Sequence, residues 1–401
     1  MKALVVAVVL IAGAPARADG TRAVTLADVL AAAPRAPASQ VSSHEIAAAE
    51  ALVDAARAWP DPSLRVETNR LTARLVAGAT VPLPVFGTVG AARREAAAQA
   101  DAVRAQTIVD QRELRRRAVT AWIALARADG EVTASAIAAT QAAEIERIAL
   151  GRLDAGVGAE VDVTTARAAR ARAELAAAAA KRAQEATSAE LAGVLGWDPL
   201  QRLEASGALP AGQPLALDAL EARLASHPEH AVATRRLAAA NAAVAQVRSQ
   251  RLPGLAVEGQ VSLDDPTQPG TDVLVALSLE LPVFARIGDR ARSARATAAA
   301  ERARLAVTEA ELGAGLVAAY RRWQAATEQL AGLEKEVVPA QERAAELSAQ
   351  AYRAGARDLA SALQADRDLT AVRAEVNAAR ADAAMAWAEL QLASGEDLHA
   401  R

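Results

Sequence analysis

The sequence contains no cysteine and very few aromatic residues. Its 401 residues include five Trp, two Tyr and two Phe, so aromatics make up 2% of the chain. The absence of cysteine excludes disulfides, thiolate metal ligands, cysteine nucleophiles and a lipid on an N-terminal cysteine. Because large globular cores need bulky side chains, the shortage of aromatics argues against two or three ordinary globular domains.

The chain also lacks an excess of one charge and lacks any catalytic motif. Its net charge is −3 with acids and bases interspersed, so charge alone implies no binding to nucleic acid. No glycine-rich phosphate loop, nucleophile elbow or metal-ligand cluster occurs, so we predict no enzymatic activity, no cofactor and no metal site. His227 and His230 straddle a proline, and we interpret them as a surface pair at a helix start.

The N-terminus predicts a signal peptide over residues 1–18. Lys2 gives a positive start, Ala3–Ile11 is an apolar run, and Ala16-Arg17-Ala18 is an A-x-A cleavage site. The apolar run is shorter than the roughly 20 residues that a transmembrane helix needs. We therefore expect an exported chain that begins near Asp19 after cleavage. A buried N-terminal helix is the alternative.

Alanine supplies most of the apolar content, and alanine-rich sequences favour helices. Two passages nevertheless change from an alternating strand pattern to a helical pattern, each at a Pro-Val-Phe triplet that starts at Pro84 or Pro282. Proline ends a strand ladder because it has no N–H to donate. A chain that makes this unusual switch twice indicates a tandem duplication, with predicted repeats over residues 19–210 and 211–401.

Both repeats are predicted to contain a short helix, a β-hairpin, a very long helix, a turn and a second helix. The predicted hairpins cover residues 63–84 and 254–282, the long helices 88–153 and 286–353, and the helices after the turns 160–195 and 358–393. Apolar residues recur every seven positions from Leu305 to Leu347, as in a left-handed coiled coil. Pro339 should kink or break this helix. The predicted fold class is therefore mainly α with a small β part, built from long antiparallel coiled-coil helices and four strands.

The four strands alternate apolar and polar residues. In the last strand the row from Val273 to Leu281 should face lipid, and Ala276, Ser278 and Glu280 should face a lumen. Strands of about 9–11 residues suit an outer-membrane barrel, but the smallest such barrels need about eight strands. Because open edges are not tolerated in lipid, several chains must share one barrel. A soluble hairpin packed on a coiled coil is the alternative.

This layout resembles the TolC family of outer-membrane efflux channels over nearly all of the mature chain. The segments around Gly156 and Gly355 look like the two helix-tip turns of that family. The strand-to-helix passages look like its barrel exits, with hinge residues Pro84, Phe86, Pro282 and Phe284. The resemblance implies a homotrimer in the outer membrane, with one shared twelve-stranded transmembrane barrel and a helical tunnel in the periplasm.

The resemblance also implies a function and partners. It implies a passive conduit of a tripartite efflux or secretion system, joined by a periplasmic adaptor protein to an inner-membrane pump. Asp162, Tyr352 and Arg357 match the residues that hold the periplasmic gate of the family shut. An Arg–Asp ion pair at a constriction is strong enough to keep the constriction closed and weak enough to break when it opens. A solvated surface ion pair without a gating role is the alternative.

Two further points concern the class of exporter. The segment Trp59–Leu64 and the passage Pro282–Gly288 are similar to the heavy-metal (CzcC-like) branch, whereas the exported substrate is not specified by the sequence. The main alternative function is a periplasmic coiled-coil adaptor or scaffold without a membrane barrel. Adaptors usually add a β-rich lipoyl-like module, and we find none between the helices.

Overall fold

A computed structural model describes residues 20–69, 73–214, 216–263, 270–282 and 286–398. The predicted signal peptide and the hinge residue Phe284 lie outside these ranges. The strands are β1 (Arg22–Thr25), β2 (Ser63–Asn69), β3 (Ala73–Leu83), β4 (Leu203–Ser206), β5 (Gly254–Leu263) and β6 (Thr271–Glu280). The α-helices are α1 (Leu26–Ala32), α2 (Pro37–Ala55), α3 (Thr88–Asp154), α4 (Glu160–Leu195), α5 (Leu217–Glu221), α6 (Pro228–Ser249), α7 (Ile287–Gly332), α8 (Val338–Arg353) and α9 (Leu359–Ala393).

The chain is mainly helical, and its longest helix has the dimensions expected of a tunnel wall. Helix α3 has 67 residues. At about 1.5 Å per residue it is roughly 100 Å long, well beyond the radius of a globular domain. None of the described helices is both long and apolar enough to pass through a membrane.

The chain divides into two compact units. The first unit contains residues 20–29, Ala118–Leu209 and Leu330–Ala381, and the second contains Leu30–Arg117, Pro210–Gln329 and residues 382–398. The first unit holds strands β1 and β4 and the ends of α3 and α8. The second unit holds the four strands of the two hairpins.

The first unit contains a small parallel sheet that the sequence did not predict. Strand β1 pairs with β4 from Arg22 opposite Leu203 to Thr25 opposite Ser206. The fully buried Trp122 of α3 donates its indole N–H to the Val24 carbonyl at 2.8 Å. The prediction of only four strands is therefore wrong. Each of these two strands has four residues, which is too short for a recognisable alternation.

The disturbance predicted at Pro339 takes the form of a π-turn at Leu333–Val337, after which the chain continues as α8. Proline cannot donate to the carbonyl four residues earlier and its ring clashes with that carbonyl, so the wider π-turn relieves the conflict. A π-turn adds one residue and shifts every later side chain around the helix. The predicted apolar seam fails beyond this point: Ala340, Ala344 and Leu347 are exposed, and the residues one position later are half-buried.

The C-terminal end of α9 is held by two buried side chains of the second unit. His227, 5% exposed, accepts the Glu229 N–H on Nδ1 at 3.2 Å, so its Nε2 carries the proton and donates to the Leu392 carbonyl at 3.1 Å. Arg112, 8% exposed, donates to the Glu396 carbonyl at 2.7 Å. The interpretation of His227 as a surface residue is therefore wrong, because the helix cap draws it inward.

Acid should weaken this junction. Burial lowers the pKa of His227 below the 6.5 of the free residue, so the unfolded chain takes up the proton first and stability falls as the pH drops below 6.5. Asparagine also caps helices but does not titrate. His227→Asn should therefore remove part of the acid-induced fall in melting temperature. The part removed corresponds to the loss of the N-cap hydrogen bond on protonation, and a typical N-cap bond contributes about 1 kcal/mol to the free energy of unfolding.

The melting temperature should be measured in detergent at neutral and mildly acidic pH. His230→Asn is the matched control, because the His230 side chain is 26% exposed and pairs with Glu309 on the surface. It should keep the wild-type pH dependence. An equal fall for His227→Asn and the wild type would contradict the prediction.

Candidate functional site

The two hairpins join into one four-stranded antiparallel sheet. The strand order is β2-β3-β5-β6, and the hairpins meet where β3 pairs with β5 from Leu75 opposite Leu263 to Leu83 opposite Leu255. The sheet is therefore built equally from both repeats. Strands β2 and β6 form its two edges, and each has a row of backbone N–H and C=O groups with no strand beside it within the described chain.

The pairing places nearly all large apolar side chains on one face. Residues directly opposite each other in neighbouring strands point to the same side of a sheet. Leu64 pairs with Ala79, Val81 with Val257, and Val257 with Leu277. Following the register across the strands gives one apolar face, on which Gly259 and Thr271 also lie: Leu64, Val66, Leu75, Ala77, Ala79, Val81, Leu83, Leu255, Val257, Val261, Leu263, Val273, Val275, Leu277 and Leu279.

The opposite face is mostly polar or small, although Val76 and Leu274 also lie on it. It carries Thr80, Glu258, Gln260 and Ser278, together with an ion pair of 2.9 Å between Arg65 and Glu67. The apolar face, in contrast, is uncovered in the single chain.

Exposure on the apolar face reaches 73% at Val275 and 82% at Leu64. Contiguous apolar surfaces of this kind are rarely left in water and mark contact with membrane or protein.

The end of this sheet leads into the helices through the predicted hinges. After β3 the Val85 N–H bonds to the Leu83 carbonyl at 2.9 Å, which turns the chain at Pro84. Phe86 is 42% exposed, and Gly87 adopts a φ of +74° immediately before α3. Pro282 follows β6 in the second repeat.

The far ends of the two long helices close in the same way in both repeats. Gly156 and Gly355 have φ of +72° and +74°. In each turn the glycine N–H donates to the carbonyl three residues earlier, and the N–H of the next residue donates to the carbonyl five residues before it. This pair of hydrogen bonds is a Schellman motif. Only glycine enters this left-handed region without cost. The tandem repeat thus produces two equivalent helix tips in the first unit.

The structure brings two of the three predicted gate residues near each other at these tips. Tyr352 is 2% exposed, and its hydroxyl has no hydrogen-bond partner in the described part of the chain. Burial raises the pKa of Tyr352, and the nearby Asp162 carboxylate raises it further. Arg357 is exposed and forms no ion pair with Asp162 among the residues that the structure describes.

Arg152 is a tip residue that the sequence did not single out. Its Nη1 donates to the Tyr352 carbonyl at 2.6 Å, and its guanidinium lies over the Tyr352 ring at 5.0 Å from the centroid. Gly355 leaves room for it, since a Cβ there would lie 3.3 Å from Arg152 Nη1. Arg152 therefore ties the end of α3 to the end of α8. Arg152 and Tyr352 are 200 positions apart, which is close to the spacing of the repeats. This spacing is the one feature of the sequence that could have indicated their contact.

Within the described residues, no three His, Asp or Glu side chains come together in a way that could hold a metal ion. The architecture instead offers a one-sided apolar sheet and a pair of helix tips. Comparison with known proteins then gives a family. The family model of the outer membrane efflux protein matches residues 31–197 and 219–396, one match for each repeat. The chain belongs to the outer membrane efflux protein family.

Solved structures agree with this efflux protein in fold. The outer-membrane channel OprN is 21% identical, with a TM-score of 0.75 over 92% of this chain and 89% of that chain. The outer membrane protein VceC of Vibrio cholerae is 16% identical, with a TM-score of 0.78 over 92% and 96%. The CmeC channel of Campylobacter jejuni is 15% identical, with a TM-score of 0.78 over 92% and 85%. A search of curated proteins found no match.

Family membership confirms the main functional prediction. The efflux protein is an outer-membrane channel component with a periplasmic helical part, and it is not an enzyme. The predicted fold class, long helices with a small sheet part, is also confirmed. The alternative of an adaptor or scaffold without a membrane barrel is not favoured.

The helix-tip glycine of the efflux protein should be sensitive to substitution. Gly355→Ala should lower stability by about 1–2 kcal/mol, because any other residue is strained at this left-handed φ. Gly313→Ala is the matched control. Gly313 lies inside α7 with open space at its Cβ position, so alanine there should raise stability by about 0.5–1 kcal/mol.

Urea unfolding in detergent, followed by circular dichroism, should show the two midpoints moving in opposite directions. A neutral Gly355→Ala would contradict the assignment of a strained tip.

Proposed function

We propose that three copies of this chain assemble into one outer-membrane channel with a shared twelve-stranded barrel and a periplasmic helical tunnel. In this proposal an inner-membrane pump delivers substrates through a periplasmic adaptor, and the channel itself is passive. The observation that carries the proposal is the one-sided sheet with two open edges. Its apolar face suits lipid, and its polar face suits a water-filled lumen.

The open edges require neighbouring copies. Every backbone N–H and C=O group left unpaired in hydrocarbon costs several kcal/mol, so a sheet in lipid must close on itself. Four strands are too few to close a barrel. Pairing of β2 in one copy with β6 in the next would satisfy both edges at once. Three copies give twelve strands, the number that the resemblance to the TolC family implies.

The strand length supports a membrane position for the sheet. Strand β5 has 10 residues. At about 3.3 Å per residue and a tilt of about 40°, such a strand rises roughly 25 Å along the membrane normal. This rise equals the height of the apolar band of an outer-membrane barrel. Strands β5 and β6 are thus long enough to span the hydrocarbon region.

The helix tips are the proposed periplasmic gate. Within one chain, Arg152 already fixes Tyr352, whereas the exposed Arg357 is free to reach a carboxylate such as Asp162 of a neighbouring copy. Ion pairs of this exposed kind are worth about 0–1 kcal/mol each. They can therefore hold a constriction shut and still yield when a partner protein docks. Specificity for heavy metals rests only on the sequence resemblance and stays a prediction.

Engineered cysteines should reveal the shared barrel, because the natural chain has none and so gives no background. Leu64→Cys in edge strand β2 should be combined in turn with a cysteine at position 275, 277 or 279 of edge strand β6. At least one combination should form disulfides between copies. Oxidised samples should then show covalent dimers and trimers on denaturing gels.

The matched control combines Leu64→Cys with Val261→Cys, because Val261 lies on the inner strand β5. This pair should not cross-link between copies. Unheated wild-type protein should migrate as a trimer. The proposal fails if every combination leaves the protein monomeric and the protein fractionates as a soluble periplasmic monomer.

The gate is tested by conductance. Arg357→Ala should raise the single-channel conductance in planar bilayers, because it removes the proposed ion pair with Asp162 of a neighbouring copy. Tyr352→Phe should raise it less, because the buried Tyr352 hydroxyl has no hydrogen-bond partner within the described chain. Arg343→Ala is the control, since Arg343 makes an exposed ion pair with Glu346 on the helix surface. It should leave the conductance unchanged. Unchanged conductance in the double variant at positions 352 and 357 would reject the gating roles.

A further inference from the structure

A glycine and an asparagine meet in the interiors of two long helices of the first unit. Gly130 lies within α3, and Asn377 lies within α9. Glycine inside a helix costs about 0.5–1 kcal/mol relative to alanine, and asparagine competes with the helix by bonding to nearby backbone groups. Neither residue is explained by the helix that contains it, so the contact between the two helices is the place to look for a reason.

The two residues interlock. Asn377 Nδ2 donates to the Arg127 carbonyl of α3 at 2.7 Å. A Cβ at position 130 would lie only 2.7 Å from Asn377 Cγ, well inside the roughly 3.5 Å at which carbon atoms pack favourably. The asparagine side chain therefore occupies the space that any larger residue at position 130 would fill. Glycine is the residue that permits this Asn377–Gly130 contact.

The stretch of α3 that receives Asn377 is also held on other sides. Trp122 is bonded to strand β1. Asp129 accepts the Ala205 N–H of β4 at 2.7 Å and the Gln184 side-chain amide of α4 at 3.0 Å. This part of α3 is thus fastened to the small parallel sheet and to α4. Through Asn377, α9 takes its position from a well-anchored point of the first unit.

Helix α9 is joined to the neighbouring helix by ion pairs on both sides of Asn377. Arg380 pairs with Glu334 at 2.7 Å, and Arg373 pairs with Glu342 at 3.1 Å. The two arginines are seven residues apart, whereas the two glutamates are eight apart. Glu334 lies in the π-turn, which adds one residue to its helix. The Asn377–Gly130 contact therefore lies at the level where the π-turn adjusts the register of α8 against α9.

Between this contact and the helix tips, α9 is packed loosely. A crevice of about 500 Å³ lies between α3, the start of α8 and α9, and another of about 390 Å³ lies between α3, α4 and α9. Close packing returns at the tips, where Tyr352 and Leu363 join a buried cluster with residues of α3 and α4. Tightly packed interiors resist displacement, whereas a helix beside open crevices can shift. The position of this part of α9 therefore depends on its two ends.

We propose that Asn377 and Gly130 are positioning residues of the periplasmic gate. Their contact sets the height and rotation of α9 on α3, and in this way it holds the second helix tip in its closed register. Asn377 is 20 residues from Arg357, or about 30 Å along the helix. The inference rests on the proposed gate, and it adds a control point that lies far from the constriction.

Gly130→Ala should disturb the gate from this distance. The new Cβ takes the space of the Asn377 side chain, so α9 must move away from α3. The single-channel conductance in planar bilayers should rise several-fold. Gly151→Ala is the matched control, because Gly151 lies on the same helix with open space at its Cβ position. It should leave the conductance unchanged.

A second substitution separates positioning from a general loss of stability. Asn377→Ala alone removes one hydrogen bond without a clash, so it should raise the conductance only slightly. Combined with Gly130→Ala, it removes the side chain that meets the new Cβ, and the conductance should fall back toward the wild-type value. Independent destabilising effects would instead add in the double variant.

Two results would overturn the positioning role. One is a Gly130→Ala variant that melts at a lower temperature but conducts like the wild type. The other is a double variant that conducts as much as Gly130→Ala or more. If Gly130→Ala does not assemble, the double variant should restore both assembly and wild-type conductance, and its failure to do so would also overturn the role.

Distances between copies give a measurement that does not depend on conductance. Val157 and Ala356 are exposed and equivalent, since each directly follows a tip glycine. Spin labels on Ala356→Cys should change their distances between copies when Gly130→Ala is added, because this tip moves with α9. Labels on Val157→Cys should keep their distances. Unchanged distances at both positions would contradict the proposal.

Arg357→Ala provides the reference for the gate itself. If Arg357→Ala raises the conductance and Gly130→Ala does not, the positioning role is overturned and the proposed gate stands. If the wild-type protein forms no channel, the proposed function fails, and the positioning role fails with it.

Discussion

Backbone hydrogen bonding in lipid is the constraint on which the rest of this structure depends. A sheet of four strands leaves two open edges, and hydrocarbon offers no partner for their N–H and C=O groups. The cross-strand register puts one apolar and one polar face on this sheet. The edges and the faces therefore both support the proposed barrel, which several copies would close together. In the proposed assembly, the long helices form the periplasmic part of the channel.

The tandem repeat explains how one chain builds this four-stranded sheet. Each repeat supplies one hairpin, and the hairpins join through β3 and β5. Each repeat also ends its long helix at a glycine with a left-handed φ. The repeats differ in their long helices, because a π-turn precedes Pro339 in the second repeat only. This turn places the side chains of α8 at different angles around the helix axis from those of an uninterrupted α-helix. The duplicated architecture is thus symmetric at the sheet and the tips but not along the helices between them.

Much of this architecture was predictable from local patterns. Alternation along Val273–Leu281 and proline at each strand exit predicted the strands, their faces and the passage to helices, because these signals lie within a few consecutive residues. The seam beyond Pro339 was not predictable, since a proline indicates a disturbance but not the one-residue shift that a π-turn causes. The pairing of β1 with β4 and the contact of Arg152 with Tyr352 depend on residues far apart in the chain. Neither produces a local pattern.

The central claim is that edge strand β2 of one copy pairs with edge strand β6 of the next. Electron cryomicroscopy of the protein in lipid nanodiscs tests it most directly. The account predicts three copies around one axis, twelve strands in a closed barrel, and the apolar face directed toward lipid. A particle in which the sheet stays open, or in which its apolar face packs against helices of the same chain, would contradict the account.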